Sequence, residues 1–308
     1  MQRVALVGLG DIARKAYLPL LSAWDGVELL VCSRTPDSVA QIRERYHLAR
    51  GTTDLDELLS WRPHAAFVLT PSASHAALVG TFLEAGIDVF VEKPATLTSG
   101  ATLSLADQAE RSGRILMVGF NRRFAPLHRR ARDLWGDRPV GLCLFQKNRT
   151  SPAHPDLLSN YIDDTIHLID LLRFFCGEAE AVETVQTVRE GRLVQALSIA
   201  ALGAGGHALV ATSLDAGEWR ESLSLQGQGA SLALEAFSSL RFVQGGEERT
   251  WHEGYAKDWK PTLEARGFSG QIAHFFECVA SRQSPLTSGA EAFRTQRLLE
   301  EMVGRVRA

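Results

Sequence analysis

The sequence predicts an α/β domain with a doubly wound parallel sheet, followed by an α+β domain with a large, mostly antiparallel open sheet. Up to about residue 120, short apolar runs alternate with helical segments, which is typical of a parallel sheet covered on both faces. From Val182 to Trp251, strand-like runs follow one another with glycine-containing turns, as in a meander. The chain of 308 residues also exceeds the usual size of one core. We therefore predict domains over residues 1–120 and 121–308.

Apolar runs supply the predicted strands of the first domain. They are VALVG (4–8), VELLVC (27–32), AAFVL (65–69), DVFVE (88–92) and ILMVGF (115–120). Thr35 and Pro36 predict a helix start, with a capping hydroxyl before a proline at the first helical position. Gly86 and Gly113 each stand between a helical run and a strand, where a left-handed residue commonly ends a helix.

The second domain is predicted to open with helices over 125–135 and through YIDDTIHLIDLL (161–172). After the strands, residues 269–282 and 290–306 return to helical spacing, and we expect these helices to pack back on the body. Three side chains near the end of the meander are interpreted as domain packing: Trp251, His252 and Tyr255.

Charge and hydropathy exclude several classes of function. A formal net charge of −3 lacks the basic excess of nucleic-acid-binding proteins. The four cysteines are far apart and form no C-x-x-C pair, so we expect reduced core residues. No apolar segment reaches about 18 residues, and no signal-peptide pattern opens the chain. We expect a cytoplasmic protein without a nucleic-acid or membrane partner.

A glycine turn follows the first predicted strand and opens a helix. Gly8 permits a tight turn, Gly10 lets the backbone approach a pyrophosphate, and Ala13 keeps helix and strand close. The free N–H groups of the helix start, around Asp11 and Ile12, suit that phosphate. This context favours a dinucleotide site over a purely structural turn.

The end of the second strand indicates which dinucleotide is preferred. An acidic residue here would bind a ribose 2′-hydroxyl, but the sequence has Ser33 and Arg34. A guanidinium beside hydroxyls suits a 2′-phosphate, so NADP(H) is favoured and NAD(H) remains possible. The alternative is that Arg34 is a solvated loop residue, and the nearby Asp37 leaves that alternative open.

Polar residues follow two later strands, at the edge where ligands bind in open α/β sheets. TPSASH (70–75) follows one strand, and Glu92, Lys93 and Pro94 follow the next. A lysine directly after a buried strand and held by a proline is poorly explained as a surface charge. We interpret it as functional.

These motifs together resemble the glucose-fructose oxidoreductase and inositol dehydrogenase (Gfo/Idh/MocA) family. The matching segments, in family order, are GLGDIA (8–13), TPSASH (70–75), EKPATLT (92–98), VGFNRRFAP (118–126), DDTIHLIDLL (163–172) and RGFSGQIAHFFECV (266–279). GFNRRFAP is most similar to the MviM-like branch. The resemblance implies a Rossmann domain, a sheet domain used for homo-dimer or homo-tetramer formation, and NAD(P)-dependent redox chemistry on sugars, polyols or related carbonyl compounds.

The resemblance also assigns site residues. It matches Lys93 to the active-site lysine, and Asp163 and His167 to a D-x-x-x-H pair. The cofactor side of the site would be formed by Thr70, Pro71, His75 and Glu92, and the Lys93–Pro94 peptide is a candidate for the cis form. Two departures from the family pattern affect the expected pocket: Ser72 stands where asparagine is usual, and Thr165 where glycine is common.

The chemistry of hydride transfer explains these residue types. His167 is a natural acid/base near neutrality, and Lys93 can polarise a carbonyl. Asp163, four residues before His167, would share its helix face and hold a substrate hydroxyl. Further predicted substrate contacts are Asn121, Arg123 and Tyr161, although the arginines after Asn121 could equally form a solvated helix start. Lys147 and Arg149 are weaker candidates.

Three other functions remain open. The resemblance implies one of them, because some members of the family use a tightly held nicotinamide for glycoside cleavage without net redox change. The same fold can also serve a non-catalytic nucleotide-binding regulatory protein. Asp163, His167 and Asp170 could together ligate a metal, but a nearby lysine would disfavour a cation, so we predict none.

Overall fold

The computed structural model describes residues 1–151, 154–252 and 262–307, so Tyr255 lies outside the described residues. The chain forms two compact units. The first unit comprises Met1–Phe120 and Phe268–Phe293, and the second comprises Asn121–Gly267 and Arg294–Ala308. In the described ranges, no helix is both long enough and apolar enough to cross a bilayer. The four cysteines are all free thiols.

The first unit contains a six-stranded parallel sheet in the order β3-β2-β1-β4-β5-β6. The strands are β1 (Gln2–Val7), β2 (Val27–Cys32), β3 (Arg50–Thr52), β4 (Ala65–Val68), β5 (Asp88–Val91) and β6 (Leu116–Val118). Every residue of β4 and β5 is buried, because helices cover both faces of a doubly wound sheet. The predicted α/β class is confirmed. The strand β3 was not predicted, because it has three residues and no apolar run.

Helices and short helical turns connect these strands. They are a π-helical turn Ala13–Tyr17, α-helices Leu18–Leu21, Pro36–Arg45, Leu55–Ser60, His75–Glu84 and Ser99–Ser112, and a 3₁₀ turn Ser72–Ser74. Gly86 and Gly113 have φ values of 74° and 62°, which confirms their predicted left-handed conformation. Thr35 stands at the predicted helix start, but its side chain makes no capping hydrogen bond, so that detail was wrong. Its backbone N–H instead donates to Ser33 Oγ at 3.4 Å.

The first unit also takes in residues 268–293, which the predicted boundaries had placed in the second domain. The helix Phe268–Ser281 places the ring of Phe275 at 5.2 Å from that of Phe67 and 5.7 Å from that of Phe90. Thr287 Oγ1 then donates to the Val118 carbonyl at 2.8 Å. Helical spacing gives an apolar face but not the surface that it covers, and here it covers the parallel sheet.

The second unit contains an eight-stranded sheet in the order β14-β13-β12-β11-β7-β10-β9-β8. The strands are β7 (Leu142–Asn148), β8 (Ala179–Arg189), β9 (Arg192–Leu202), β10 (His207–Ser213), β11 (Arg220–Gly227), β12 (Ala230–Glu235), β13 (Ser239–Gln244) and β14 (Glu247–His252). All neighbours pair antiparallel except β7 and β10, which are parallel. The prediction of a mostly antiparallel sheet is confirmed.

Helices lie before β7, between β7 and β8, and after β14, and the last of them, Gly289–Gly304, begins in the first unit. They are a 3₁₀ turn Asn121–Phe124, α-helices Pro126–Trp135, Leu157–Asn160, Ile166–Cys176, Thr262–Ala265 and Gly289–Gly304, and a π-helical turn Tyr161–Thr165. Buried positions alternate along β7 and β10, so one face of the sheet carries the core of this unit. The helix Ile166–Cys176 is buried over almost its whole length.

Candidate active site

The glycine turn after β1 has the geometry that a nucleotide phosphate requires. Gly8 has a φ of 99°, and a Cβ there would lie 2.7 Å from the backbone carbon of Leu69. A Cβ at Gly10 would meet no atom within 4 Å, so the backbone of this turn is open to a ligand. Ala13 is fully buried, as close packing of helix and strand requires. The residues present therefore fit a dinucleotide.

Side chains near the turn are placed as follows. Asp11 is exposed and forms an ion pair with Lys15 at 2.8 Å. Ile12 is partly buried. Ser33 and Arg34 follow β2 directly, and the Arg34 side chain is exposed without an ion-pair partner in the described part of the chain.

The turn after β5 holds the predicted catalytic lysine. The Lys93–Pro94 peptide is cis, as predicted. Glu92 is 8% exposed, and its carboxylate accepts hydrogen bonds from the Tyr17 hydroxyl and from Lys93 N, the latter at 2.9 Å. Burial and the neighbouring Glu92 raise the pKa of Tyr17 well above its ordinary value, so the hydroxyl stays a donor. Glu92 therefore fixes the turn after β5, and its predicted contact with the cofactor stays a prediction.

His75 connects this turn to the one after β4. Its Nδ1 lies 2.9 Å from the Pro94 carbonyl oxygen and its Nε2 lies 2.8 Å from the Thr70 carbonyl oxygen. A neutral imidazole can donate to only one of these acceptors, and burial lowers the pKa of His75. The ring is 1% exposed. His75 therefore lies between two strand-end turns, while Thr70 is partly buried and Pro71 is exposed. The predicted contacts of these three residues with the cofactor stay predictions.

In the second unit, the helix that carries the D-x-x-x-H pair is interrupted by the π-helical turn Tyr161–Thr165. Asp163 lies in this turn with its side chain 65% exposed, and His154 Nε2 is 3.4 Å from its Oδ2. His167 lies beyond the turn and is 6% exposed. The prediction that Asp163 and His167 share one helix face assumed a continuous α-helix. The wider π-helical turn changes the angle between these two side chains around the helix axis. Single π turns within α-helices are frequent at functional sites.

His167 contacts Arg122, a residue to which the sequence motifs had assigned no role. Its NH1 lies 3.1 Å from His167 Nε2 and donates to Asn121 Oδ1 at 3.0 Å. Its Nε and NH2 donate to the two oxygens of Glu221, each at 3.0 Å. A guanidinium only donates, so Nε2 is the acceptor of this contact and the ring proton of a neutral His167 lies on Nδ1. Arg122 thereby fixes the orientation of the histidine.

A buried charge cluster supports Arg122. Lys147 Nζ lies 2.7 Å from Asp164 Oδ1 and 3.3 Å from Glu221 Oε2, and Arg149 also pairs with Asp164. Burial acts to raise the pKa of Glu221, but Arg122 and Lys147 outweigh it and hold that pKa well below its ordinary value. Burial also acts to raise the pKa of Asp164, but the neighbouring Arg149 and Lys147 outweigh it and lower that pKa to about 2. Lys147 and Arg149 therefore serve the structure of the second unit.

The other predicted substrate contacts are occupied within the second unit. Arg123 donates to both oxygens of Asp170, at 2.9 and 2.7 Å, and both residues are buried. The Tyr161 hydroxyl is fully buried 2.8 Å from Ser198 Oγ. Asn121 Nδ2 donates to the Arg266 carbonyl at 2.8 Å. These three side chains therefore support the second unit, and their predicted contacts with a substrate stay predictions.

Two further expectations concern this helix. Thr165 is fully buried and donates to Asn160 Oδ1 at 2.8 Å, so it faces the interior of the second unit. Asp170 forms a buried ion pair with Arg123. The described residues contain no cluster of three or more metal-ligating side chains.

Comparisons with known proteins agree with this geometry. Residues 2–120 match the Gfo/Idh/MocA model, described as an oxidoreductase family with an NAD-binding Rossmann fold. YceM of Salmonella typhimurium is 32% identical over 316 residues, covering 97% of this chain and 96% of YceM. The scyllo-inositol 2-dehydrogenase (NAD(+)) of Bacillus subtilis is 24% identical over 311 residues, covering 94% of this chain and 90% of that dehydrogenase. The crystal structure of the dehydrogenase MviM from Clostridium difficile shares the fold, with a TM-score of 0.89 and 23% identity over 98% of this chain and 99% of MviM.

Proposed function

The chain belongs to the Gfo/Idh/MocA family of NAD-binding oxidoreductases, and from that premise we propose that it transfers a hydride between a nicotinamide and a carbonyl or hydroxyl carbon of a sugar, polyol or similar small molecule. The observation that carries this proposal is the glycine turn, where Gly8 leaves no room for a side chain and Gly10 leaves the backbone open. The strand-end Lys93 and the oriented His167 support it.

The proposed roles follow from the chemistry of each group. A bound nicotinamide supplies the hydride exchange. The Lys93 ammonium donates to the substrate oxygen and stabilises its developing negative charge. His167 exchanges the hydroxyl proton at Nε2, where the substrate hydroxyl takes the place of Arg122 NH1. The exposed carboxylate of Asp163 accepts a hydrogen bond from a neighbouring substrate hydroxyl.

A screen of sugars, polyols and their phosphates, read at the absorbance of reduced nicotinamide, tests this function. On a substrate that turns over, we expect Lys93→Ala and His167→Ala each to lower kcat by about 10²- to 10⁴-fold, with NADPH binding unchanged by fluorescence titration. The control is His207→Ala, since His207 is an exposed residue of β10. Unchanged turnover in both site variants would exclude these roles. Product formation without a change in nicotinamide absorbance would favour glycoside cleavage.

We propose that NADP(H) is preferred over NAD(H), because the exposed Arg34 follows β2 where an acid would select NAD. Fluorescence titration of Arg34→Ser with NADPH and NADH tests this preference. We expect about tenfold weaker NADPH binding, the effect of losing one charge-assisted contact, with little change for NADH. The exposed Arg111→Ser is the control. Equal loss for both cofactors would contradict the preference.

We also propose a homo-dimer or homo-tetramer formed through the sheet of the second unit. The edge strand β8 exposes Val182, Val185 and Val188 to 51%, 42% and 54%. Exposed apolar patches on sheets often mark interfaces. Light scattering should show an oligomer for the wild type and a smaller species for Val185→Lys. A monomeric wild type would disprove this assembly.

A further inference from the structure

A ring of charged and aromatic side chains surrounds Phe237 in the second unit. Phe237 lies between β12 and β13 with a φ of 65°, a strained conformation for a bulky aromatic residue. The guanidinium carbons of Arg122 and Arg266 lie 5.7 and 5.1 Å from the centre of its ring, and the His128 ring lies at 5.7 Å. We call these residues, with Trp219, the Phe237 cluster.

Arg266 is held in place from several sides. Its guanidinium carbon lies 5.7 Å from the Trp219 ring as well as 5.1 Å from Phe237. Its carbonyl oxygen accepts from Asn121 Nδ2 at 2.8 Å. The next residue, Gly267, has a φ of 84°, and a Cβ there would lie 2.2 Å from the Asn121 carbonyl oxygen. Backbone and head group of Arg266 are therefore both positioned before any ligand arrives.

The charge of Arg266 is not neutralised by the described residues. Arg122, in the same cluster, is paired with Glu221 at 3.0 Å. Across residues 1–151, 154–252 and 262–307, no carboxylate pairs with the Arg266 guanidinium and no acceptor takes a hydrogen bond from it. Stacking on aromatic faces leaves the in-plane N–H donors of a guanidinium unused. Trp219 is 39% exposed and Arg266 is only partly buried, so this part of the cluster reaches the surface of the protein.

The cluster adjoins His167. Both guanidinium carbons lie over the Phe237 ring, so they are separated by no more than the sum of the two distances, about 11 Å. Arg122 NH1 is 3.1 Å from His167 Nε2. His167 and the Arg266 guanidinium thus belong to one connected group of side chains, with Arg122 and Phe237 linking them.

We propose that Arg266, whose guanidinium carbon lies 5.7 Å from the Trp219 ring centre and 5.1 Å from that of Phe237, binds an oxyanion substituent of the substrate. The enzyme would then act on a sugar or polyol that carries a phosphate or a carboxylate. The inference rests on the proposed function, in which His167 exchanges a proton with that substrate. Planar guanidinium donors match both oxyanions with paired hydrogen bonds. The strained Phe237 turn is explained by the need to hold this cation ready for its ligand.

The test is calorimetric titration of the full chain, saturated with NADPH, with inorganic phosphate and separately with acetate. We expect one of the two anions to bind saturably, and Arg266→Gln to weaken that binding by about 10- to 100-fold, the loss of one or two charge-assisted hydrogen bonds. The matched control is Arg130→Gln, because Arg130 also stacks on a ring, that of Trp251 at 5.6 Å. Phosphate and acetate distinguish the two substrate types.

The outcomes separate this inference from the proposed function. Absence of saturable binding by either anion, or equal binding to Arg266→Gln and wild type, would overturn the site. If Arg266-dependent binding occurs but no nicotinamide-linked turnover is found, the proposed function fails and the anion site stands. If turnover is found and Arg266→Gln leaves the KM of the substrate unchanged, the inference fails alone.

Discussion

The two units hold their candidate functional groups in different ways. In the first unit, Gly8, His75 and Lys93 are fixed by backbone contacts at the ends of adjacent strands. In the second unit, His167 is oriented by Arg122, which depends on Glu221, 99 residues later in the chain. The candidate groups of the first unit are therefore held by contacts between strand-end turns, and those of the second unit by buried charges. Substitutions should affect the two units differently.

The largest expected effect is on the buried charges. Glu221→Gln leaves Arg122 and Lys147 without their shared carboxylate, which should lower the free energy of unfolding by about 3–5 kcal/mol. Glu235→Gln removes the half-exposed pair with Arg220 and should cost less than about 1 kcal/mol. Urea unfolding at neutral pH measures both variants. Equal losses would mean that burial of the charge cluster does not hold the second unit together.

The next effect depends on pH. Burial lowers the pKa of His128 from 6.5 to about 4, an effect that Glu221 opposes and Arg122 reinforces. The folded ring stays neutral while the unfolded ring binds a proton below pH 6.5, so stability falls as the pH drops. Between pH 7 and 4.5 this residue should remove about 2–3 kcal/mol of stability.

Urea unfolding at those two pH values checks the His128 effect. In His128→Leu the loss on acidification should be smaller than in the wild type by that amount. The exposed His207→Leu should behave like the wild type. An unchanged pH dependence in His128→Leu would show that other groups set acid stability.

A smaller effect is expected at the glycine turn of the first unit. Gly8→Ala places a methyl group 2.7 Å from the Leu69 backbone at a positive φ, which should destabilise the fold by about 1–3 kcal/mol. Gly10→Ala meets no atom within 4 Å and should leave the stability of the cofactor-free protein within about 0.5 kcal/mol. Thermal unfolding of the two variants measures the difference. If Gly10→Ala were the more damaging change, the turn would not have this geometry.

The smallest effect is expected from a substitution that keeps the charge. Arg122→Lys retains a cation but lacks the planar donors that reach both Glu221 and His167, so kcat should fall about tenfold. The KM for the cofactor should not change. The exposed Arg129→Lys is the control. Unaltered kcat in Arg122→Lys would show that charge alone positions His167.

Local signals account for what the sequence predicted well. The glycine turn, the cis Lys93–Pro94 peptide and the alternation of strands with helices depend on residues close together in the chain. The family, the fold class and the class of enzyme are confirmed.

Long-range pairing explains what the sequence could not give. Arg122 and Arg123 are adjacent and identical, yet one orients His167 and the other is buried against Asp170. The pairing register of β11 with β7 places Glu221 opposite Lys147, and Arg122 pairs with Glu221 at that position. Local spacing likewise gave no sign that Glu92 would bind Tyr17.

The π-helical turn Tyr161–Thr165 has a consequence for segment length. An α-helix advances about 100° per residue, so a turn that contains one extra residue rotates the phase of everything after it. The position one turn before His167 consequently moves from Asp163 toward Ile162. The π-helical turn is therefore equivalent to the insertion of one residue into a regular α-helix. Asp163 is exposed to solvent, while Asp164 forms an ion pair with Lys147. This difference depends on the number of residues in the segment as much as on their identity.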